Sequence, residues 1–378
     1  MKRVLVVIGT RPEAIKMAPV IAALHASSRV TPVVLSTGQH REMLRQVVQL
    51  FGFGVDIELD VMRPNQTLAG LTARLLTAID EVMVDQEPHL VLAQGDTTTV
   101  VTTALASFYR RLPFGHVEAG LRTGNLDAPF PEEANRVLAG RLAVLHFAPT
   151  DWARNNLVEE RVDPKSIFVT GNTVIDALHM EIKRQEQPAE AARLVSSMAP
   201  LLFDDWQSSR FVLVTGHRRE SFGSGFEQIC AALRTLALAY PAVRFVYPVH
   251  LNPNVQKPVH ELLADVSNIH LLEPLPYSEF LALLHACSLV LTDSGGVQEE
   301  APGLGKPVLV MRDTTERPEG VHAGTVKLVG TDPDRIVAEV SRLLDDESAY
   351  ADMAQAHNPY GDGQAAGRIV AAIEEFLQ

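Results

Sequence analysis

The sequence of 378 residues has only two cysteines, Cys230 and Cys287, and no CxxC motif. Neither a disulfide framework nor a cysteine-based zinc site is therefore expected, and a reducing compartment, the cytoplasm, is predicted. No apolar run approaches the roughly 20 residues that cross a membrane, and no cleavage signal precedes the first predicted strand. The net charge of −13 argues against general binding to nucleic acid or to an anionic membrane. An anionic ligand would therefore need a locally basic pocket.

Several catalytic motifs are also missing from the sequence. There is no HExxH or similar metal spacing, and there is no Gly-x-Ser-x-Gly elbow. Gly305-Lys306 is not a Walker A loop, because no glycine stands five positions before Gly305 and a proline follows the lysine. Gly223-Ser224-Gly225 lacks the third glycine of a dinucleotide fingerprint, since Gln228 holds that position. Serine hydrolysis, hydrolysis of a nucleoside triphosphate and nicotinamide chemistry are disfavoured, and no metal or cofactor is expected.

What the chain does have is an alternation of short β-branched runs with amphipathic helical stretches. Strands are predicted at residues 4–8, 30–35, 89–93, 114–117, 145–148 and 167–169, and again at 211–215, 243–248, 269–272, 288–291, 307–310 and 326–328. Helices between the first strands are predicted at 13–24, 42–50, 68–84 and 97–109. Apolar strands that alternate with helices are typical of parallel sheets covered on both faces. The predicted fold class is α/β, with two doubly wound, Rossmann-like domains facing a cleft.

The domain boundaries are predicted from a polar stretch after which the pattern restarts. Residues 1–185 are expected to form the first domain, 186–210 a linking region and 211–360 the second domain. Ligands of such sheets bind beyond the carboxyl ends of the strands, so residues at strand ends are the candidate site. A shared Gly-x-Arg-x-Glu pattern follows the first strand of each half and brings Arg11 and Arg218 to those ends.

The clearest candidate for a phosphate site follows the strand at residues 288–291. Ser294-Gly295-Gly296 forms a turn that opens a helix, and Glu300 lies about a turn and a half along it. Glycines let the backbone approach a ligand closely, and the first N–H groups of a helix favour an anion. Glu300 could then accept hydrogen bonds from a sugar diol. The alternative interpretation is an ordinary capped turn between a strand and a helix.

Carboxylates collect at strand ends in the first half. Asp96 follows one strand, although it is also suited to be the N-cap of the next helix. Glu118 follows the strand at 114–117 and is expected to be paired or functional. Glu132 and Glu133 precede Arg136 at a predicted helix start, where a structural role is adequate for at least one of the two glutamates. Carboxylates gathered in this way are suited to proton transfer.

Basic residues collect at strand ends in the second half. His217, Arg218 and Arg219 follow the strand at 211–215, and Arg317 lies in another polar run. His250 ends the strand at 243–248. A histidine in such a position is either a structural hydrogen-bonding group or a functional one, and both interpretations stay open for His217 and His250.

The following motifs occur in order along the chain: Gly9-Thr10-Arg11-Pro12-Glu13-Ala14-Ile15-Lys16, Gln39-His40-Arg41-Glu42-Met43, Gly95-Asp96-Thr97, Gly115-His116-Val117-Glu118-Ala119-Gly120-Leu121-Arg122-Thr123, Gly216-His217-Arg218-Arg219-Glu220, Asp293-Ser294-Gly295-Gly296, Arg312-Asp313-Thr314-Thr315-Glu316-Arg317-Pro318 and Asn358-Pro359-Tyr360-Gly361-Asp362-Gly363. With them the chain resembles, essentially from end to end, the bacterial non-hydrolysing UDP-N-acetylglucosamine 2-epimerases. The resemblance implies the two-domain architecture of GT-B glycosyltransferases, with a last helix at 361–378 that packs back onto the first domain. It also implies the interconversion of UDP-N-acetylglucosamine and UDP-N-acetylmannosamine, which supplies activated mannosamine for surface polysaccharides.

The resemblance implies roles for individual residues. UDP would lie mainly on the second domain, and the residues expected to bind it are Arg11, Lys16, His217, Phe280, Ser294, Gly295, Gly296, Glu300 and Arg317. Residues 294–296 would hold the diphosphate, Glu300 the ribose hydroxyls and Phe280 the uracil, while Lys16 would support a loop of the first domain. The residues expected in catalysis are Asp96, Glu118, Glu132, Arg136 and His217.

A second site is implied as well, because bacterial members of that family are activated by their own substrate bound beside the active site. The positions linked to it are Gln39, Glu42, Glu132, Arg218 and His250. Glu42 and Asn65 stand where some members have Gln and Arg, which bears on the strength of activation. The resemblance also implies a homodimer.

Three competing activities stay open at this point. A hydrolysing epimerase would share the fold but would release free N-acetylmannosamine and UDP. A retaining GT-B glycosyltransferase would need an acceptor site that the sequence does not indicate. A nucleotide-sugar sensor would bind without turnover and would have little use for Asp96, Glu118 and Glu132 together.

Overall fold

The computed structural model describes residues 1–39, 41–315 and 317–378, without the side chains of residues 41–43. The chain divides into two compact units. Unit 1 contains Met1–Met180 together with Tyr360–Gln378, and unit 2 contains Glu181–Pro359. The end of the chain thus belongs to the same unit as its beginning.

Unit 1 is built on a parallel sheet. Its strands are β1 (Lys2–Ile8), β2 (Val30–Ser36), β3 (Ile57–Glu58), β4 (Leu90–Gln94), β5 (Phe114–Val117), β6 (Leu145–Ala148) and β7 (Ile167–Val169). They lie in the order β3-β2-β1-β4-β5-β6-β7. The helices of the unit are α1 (Arg11–Ala26), α2 (Arg41–Phe51), α3 (Leu68–Gln86), α4 (Thr98–Arg110), α5 (Glu132–Leu142) and α6 (Asp151–Glu159), and α7 (Thr173–Gln185) contains the unit boundary.

Unit 2 is built on a second parallel sheet. Its strands are β8 (Phe211–Thr215), β9 (Arg244–Pro248), β10 (Ile269–Leu272), β11 (Leu289–Thr292), β12 (Val308–Val310) and β13 (Val326–Leu328), in the order β10-β9-β8-β11-β12-β13. Its helices are α8 (Pro188–Met198), α9 (Ser224–Ala239), α10 (Pro253–Leu263), α11 (Tyr277–Ala286), α12 (Gly295–Gly303), α13 (Pro318–Ala323), α14 (Pro333–Asp345) and α15 (Glu347–Ala354). The predicted linking region, 186–210, contains α8, on which Leu194 and Met198 are buried. The last helix of the chain, α16 (Ala365–Phe376), belongs to unit 1.

The predicted fold class is confirmed by the two doubly wound parallel sheets. Every strand predicted from the sequence forms, and the ends differ by at most two residues. The strands are apolar because helices cover both faces of each sheet and leave little of the strands exposed to water. Only β3 lacks a sequence prediction, because a strand of two residues has no periodicity to detect.

Both sheets have the strand order of a Rossmann fold, with a switch point where the winding reverses. In unit 1 this point lies between β1 and β4, and in unit 2 it lies between β8 and β11. The first candidate residue after each of these four strands is Arg11 after β1, Asp96 after β4, His217 after β8 and Ser294 after β11. The sequence candidates therefore lie where open parallel sheets bind their ligands.

The C-terminal helix is tied to unit 1 at its start and along its length. Asp176 accepts hydrogen bonds from the N–H groups of Ala365 (3.2 Å) and Ala366 (2.9 Å). These are among the first N–H groups of α16, which have no partner within the helix. The helix packs against α1, and Ile369 and Ile373 are fully buried. None of the described helices is both long enough and apolar enough to cross a membrane.

Candidate active site

The turn from β11 into α12 is the candidate phosphate site in unit 2. Ser294 is the N-cap residue, but its side chain makes no capping hydrogen bond, so the ordinary capped turn lacks its usual contact. The N–H of Ser294 donates instead to the hydroxyl of Thr292 (2.9 Å). A Cβ on Gly295 would lie 2.6 Å from Nη1 of Arg317, whereas one on Gly296 would have no described atom within 4 Å. Only glycine lets Arg317 lie this close to the start of the helix.

Arg317 is positioned by a buried carboxylate on α12, the helix that the glycine turn begins. Its Nε donates to Oε1 of Glu299 at 2.6 Å, and the Arg317 side chain is only 13% exposed. A guanidinium fixed beside a helix N-terminus adds positive charge where the helix already favours an anion. Glu299 itself has no predicted role, yet it holds one of the predicted phosphate ligands.

Glu300 is buried, and one of its carboxylate oxygens accepts a hydrogen bond from a tyrosine. The hydroxyl of Tyr277 donates to Oε1 of Glu300 at 2.8 Å, and Glu300 is 6% exposed. Tyr277 begins α11, and Phe280 follows three residues later on the same side of that helix, half-buried. The ionised form of Glu300 can only accept hydrogen bonds, which suits it to a pair of hydroxyl groups.

His217 follows β8 and lies against two other groups of unit 2. Its Nδ1 is 3.2 Å from Oδ1 of Asp293, and its ring stacks on His250 with centroids 5.5 Å apart. Burial lowers the pKa of His217 below its usual value, an effect that Asp293 opposes and that Arg218, His250 and Arg312 reinforce. His250 is exposed, and its Nδ1 accepts a hydrogen bond from the N–H of Asn252 (3.1 Å).

Glu118 is held in unit 1 by two side chains. It follows β5 with a φ of +63°, a backbone conformation that is strained for a residue other than glycine. Its Oε2 accepts hydrogen bonds from Nζ of Lys16 (2.5 Å) and from Nε2 of Gln94 (2.9 Å). Lys16 and Glu118 are both buried, so the pair is poorly screened by water. The prediction that Glu118 is paired or functional agrees with this contact.

Asp96 forms an ion pair rather than a helix cap. Thr97 is the N-cap of α4, so the interpretation of Asp96 as the N-cap is wrong. Oδ2 of Asp96 is 2.7 Å from Nη2 of Arg136, and the backbone carbonyl of Asp96 accepts from Nδ2 of Asn135 (2.9 Å). The chain enters the helix one residue later than expected, which leaves the Asp96 carboxylate available to the buried guanidinium.

The two glutamates that begin α5 have different surroundings. Glu133 is buried and accepts hydrogen bonds from the N–H groups of Thr123 and Gly124, each at 3.0 Å. It also lies 3.4 Å from Nη1 of Arg136. Glu132 is the first residue of the helix and is half-buried. The structural role that the sequence allowed for one of the pair therefore belongs to Glu133.

Glu13 joins two of the loops at the switch point of unit 1. Its Oε2 accepts from the N–H groups of Gly9 (2.5 Å) and Thr10 (2.9 Å), while Oε1 accepts from the hydroxyl of Thr97 (2.5 Å). Burial raises the pKa of Glu13 from 4.5 to about 7, although these hydrogen bonds oppose the shift. One carboxyl group thereby connects the turn that carries Arg11 with the turn that carries Asp96.

The remaining candidates are less well defined by their contacts. Arg11 begins α1 and is half-buried. Gln39 accepts a hydrogen bond from the hydroxyl of Thr99 at 2.8 Å. Arg218 donates its backbone N–H to Asp293 (2.8 Å). The side chain of Glu42 lies outside the described residues, as do His40 and Glu316 of the predicted motifs.

Sequence reasoning missed the residues that hold the candidates in place. They are Glu13, Gln94, Tyr277, Asp293 and Glu299. Three of them carry a signal in the sequence: Glu13 has the capping-box spacing from Thr10, and Asp293 and Glu299 each stand beside a candidate. Within the described ranges, no group of three or more His, Cys, Asp or Glu side chains could hold a metal ion.

The two Rossmann-like units have the composition of the GT-B fold, and the class of protein is an enzyme that acts on a nucleotide sugar. The family model described as UDP-N-acetylglucosamine 2-epimerase matches residues 22–374. The chain belongs to the UDP-N-acetylglucosamine 2-epimerase family. The predicted enzyme class and the predicted family are both confirmed.

Individual relatives agree with this assignment. The UDP-N-acetylglucosamine 2-epimerase of Escherichia coli K12 is 54% identical, over 98% of each chain. A crystal structure of the Neisseria meningitidis UDP-GlcNAc 2-epimerase bound to UDP-GlcNAc has a TM-score of 0.92 at 47% identity, covering 99% of this chain and 100% of that one. A co-structure of an S. aureus protein with UDP has a TM-score of 0.89 at 41% identity, covering 100% of this chain and 97% of the other.

Proposed function

We propose that the enzyme is non-hydrolysing and inverts C2 by eliminating and re-adding UDP. The observation that carries the proposal is the division of charged groups between the units. Unit 2 has a glycine-lined helix start with Arg317 beside it, and unit 1 has Asp96 and Glu118 at strand ends, each paired with a cation. The first arrangement suits a leaving diphosphate, and the second suits proton transfer to and from carbon.

The chemistry requires both arrangements. The C2 hydrogen is not alpha to a carbonyl, so its direct removal by a side chain would be slow. When the bond between C1 and the UDP oxygen breaks, UDP leaves with the electron pair, and positive charge at C1 and the ring oxygen acidifies C2–H. A carboxylate takes the C2 proton, and the C–H electrons form the C1–C2 double bond of 2-acetamidoglucal. Re-addition protonates C2 on the opposite face while UDP re-forms its bond to C1.

We assign the residues as follows within this route. The N–H groups of residues 294–296 hold the diphosphate with Arg11, Arg317 and His217, Glu300 takes the ribose and Phe280 packs on the uracil. Asp96, Glu118 and Glu132 are the candidates for the acid and the base, and Arg136 and Lys16 hold the first two of them.

Further parts of the proposal rest on the family resemblance. We propose that the second, activating substrate site uses Gln39, Glu42, Glu132, Arg218 and His250. The product is proposed to supply activated mannosamine for surface polysaccharides. A cytoplasmic homodimer is proposed as the working form, and the two buried free cysteines suit a reducing compartment.

A proton NMR time course in heavy water tests the mechanism. Purified protein should convert UDP-N-acetylglucosamine into a mixture with UDP-N-acetylmannosamine, and both should acquire deuterium at C2, because a carboxylate exchanges its proton with solvent. The gluco form should predominate, since an axial acetamido group is more crowded.

Three outcomes would contradict the proposal. Free N-acetylmannosamine as the main product would identify a hydrolysing enzyme, and binding without turnover would identify a sensor. Epimerisation without exchange at C2 would exclude elimination and would require a route of oxidation and reduction instead.

A further inference from the structure

Asp293 occupies a position between the two loops at the switch point of unit 2. It directly follows β11 and precedes Ser294, the N-cap of α12. Its carboxylate is fully buried, and Oδ2 accepts hydrogen bonds from the backbone N–H groups of His217 and Arg218, each at 2.8 Å. The turn that begins α12 and the loop after β8 are therefore joined by one side chain.

The second oxygen of Asp293 faces the imidazole of His217. Oδ1 lies 3.2 Å from Nδ1 and, in the described part of the chain, has no hydrogen-bond partner. An ionised carboxylate can only accept, so Nδ1 of His217 must carry a proton in order to satisfy it. In the neutral ring the proton is then on Nδ1, and Nε2 has a free lone pair. The His217 side chain is 40% exposed, so part of the ring faces outward from the protein.

We propose that Asp293 is a positioning residue that holds His217 in the Nδ1–H tautomer and presents Nε2 to the substrate diphosphate. This inference rests on the proposed function, in which His217 acts beside the leaving UDP. When protonated, Nε2 donates a hydrogen bond to the departing phosphate oxygen, and Asp293 stabilises the resulting imidazolium. Asp293 thus has two roles: its backbone hydrogen bonds support the loop at residues 216–218, and its contact with Nδ1 sets the tautomer of His217.

The Asp293→Asn variant separates the two roles. The amide oxygen can keep the backbone hydrogen bonds, but the amide NH₂ then faces Nδ1 and requires it to accept, which moves the proton to Nε2. We expect the ¹⁵N shifts of the His217 ring to report Nδ1–H in the wild-type protein and Nε2–H in the variant. The His217→Gln variant identifies the signals of this ring among the 13 histidines.

Kinetics provide the second part of the test. Asp293→Asn should lower kcat by about 10²-fold, and the His217 ionisation in the pH dependence of kcat should move to lower pH, because the Asp293 charge that raises the pKa of His217 is removed. The groups that act on this titration are Asp293, Arg218, His250 and Arg312. In the His217→Gln background, Asp293→Asn should cause little further loss, because the two residues act as a unit. Asp265→Asn, a surface carboxylate of the same unit paired with Arg234, is the matched control and should match the wild type.

Several results would overturn the inference. If the variant fails to fold, the ¹⁵N spectrum of the wild-type protein is enough to test the inference. A neutral His217 with its proton on Nε2 in the wild-type protein would contradict the inference. Losses that simply add in the double variant would give Asp293 a structural role only. If wild-type protein failed to epimerise while His217 kept its Nδ1 proton, the proposed function would fail and the positioning role would stand.

Discussion

Glu132 and Glu133 are neighbours in the sequence, but they differ in their hydrogen bonds and in their burial. Glu133 satisfies two backbone N–H groups and lies against Arg136, whereas Glu132 begins the helix and is half-buried. Removing the charge of a buried hydrogen-bonded carboxylate affects folding, while removing the charge of an accessible one affects the chemistry it performs. Asp96 and Glu118 combine the two situations, because each is paired with a cation and each also lies at a strand end, where ligands of parallel sheets bind.

The first prediction at this scale concerns the acid and the base. Asp96→Asn, Glu118→Gln and Glu132→Gln should each lower kcat by about 10²-fold or more, because each removes a proton-transferring group or its partner. UDP affinity, measured by calorimetry, should persist, since the proposed UDP ligands lie mostly in unit 2. Glu159→Gln, which changes an exposed carboxylate of unit 1, is the control. Wild-type kcat in all three variants would refute the assignment.

The second prediction concerns Glu300 and its tyrosine. Glu300→Gln should weaken UDP binding by about 1–3 kcal/mol, because a charge-assisted hydrogen bond to the ribose is lost. Tyr277→Phe removes only the hydroxyl that donates to Oε1, so its effect on the UDP dissociation constant should be smaller. Glu261→Gln, exposed on α10, should bind as the wild type does. Unchanged UDP affinity in the Glu300 variant would place the ribose elsewhere.

Among the elements, the turn after β1 and the turn after β4 are joined by Glu13. This residue completes a capping box with Thr10 at the start of α1 and also accepts from Thr97, the N-cap of α4. The burial that this bridge requires raises the pKa of Glu13 to about 7. The folded protein therefore binds this proton more tightly than the unfolded chain does.

That difference predicts a dependence of stability on pH. Between about pH 4.5 and 7 the folded state holds more protons at Glu13, so its free energy of unfolding should fall as the pH rises. Glu13→Gln, which resembles the protonated form, should lack this part of the dependence. Relative to the variant, the wild type should lose about 3 kcal/mol between pH 4.5 and pH 8. Denaturant titrations at the two pH values measure the difference, and parallel losses in both proteins would contradict the prediction.

The whole molecule combines two sheets of the same winding, and the chain ends in the unit where it began. Because α16 packs on α1 and takes its N-terminal contacts from Asp176, we propose that it is an integral part of unit 1. Its apolar side faces the core of that unit, as the burial of Ile369 and Ile373 indicates.

This organisation predicts which property a change in α16 affects. Ile369→Ala should destabilise unit 1 by about 2–5 kcal/mol, because it leaves a cavity where a fully buried side chain stood. Scanning calorimetry should show a lower unfolding temperature, while UDP binding at low temperature should remain. Glu375→Ala, on the exposed side of the same helix, should change neither quantity. An equal shift in both variants would argue that α16 is not part of the core.

The strands and the strand-end candidates could be predicted because they depend on local signals. Apolar runs of β-branched residues identify buried parallel strands, and the residues that follow them must lie at one edge of a sheet. Asp96 shows where this reasoning stops, since its short polar side chain suits a cap equally well. Arg136, some forty residues later in the sequence, gives the carboxylate another partner.

The sequence by itself determined the fold class, nearly all the strands and the family, because periodicity and ordered motifs are written along the chain. Only the tertiary structure decided which groups face one another. Lys16 reaches Glu118, Tyr277 reaches Glu300 and Asp293 reaches His217, although long stretches of chain separate each pair. Such contacts depend on how parallel strands bring distant loops to the same edge of a sheet. The tautomer of a histidine or the burial of a carboxylate follows from that proximity, which no local pattern records.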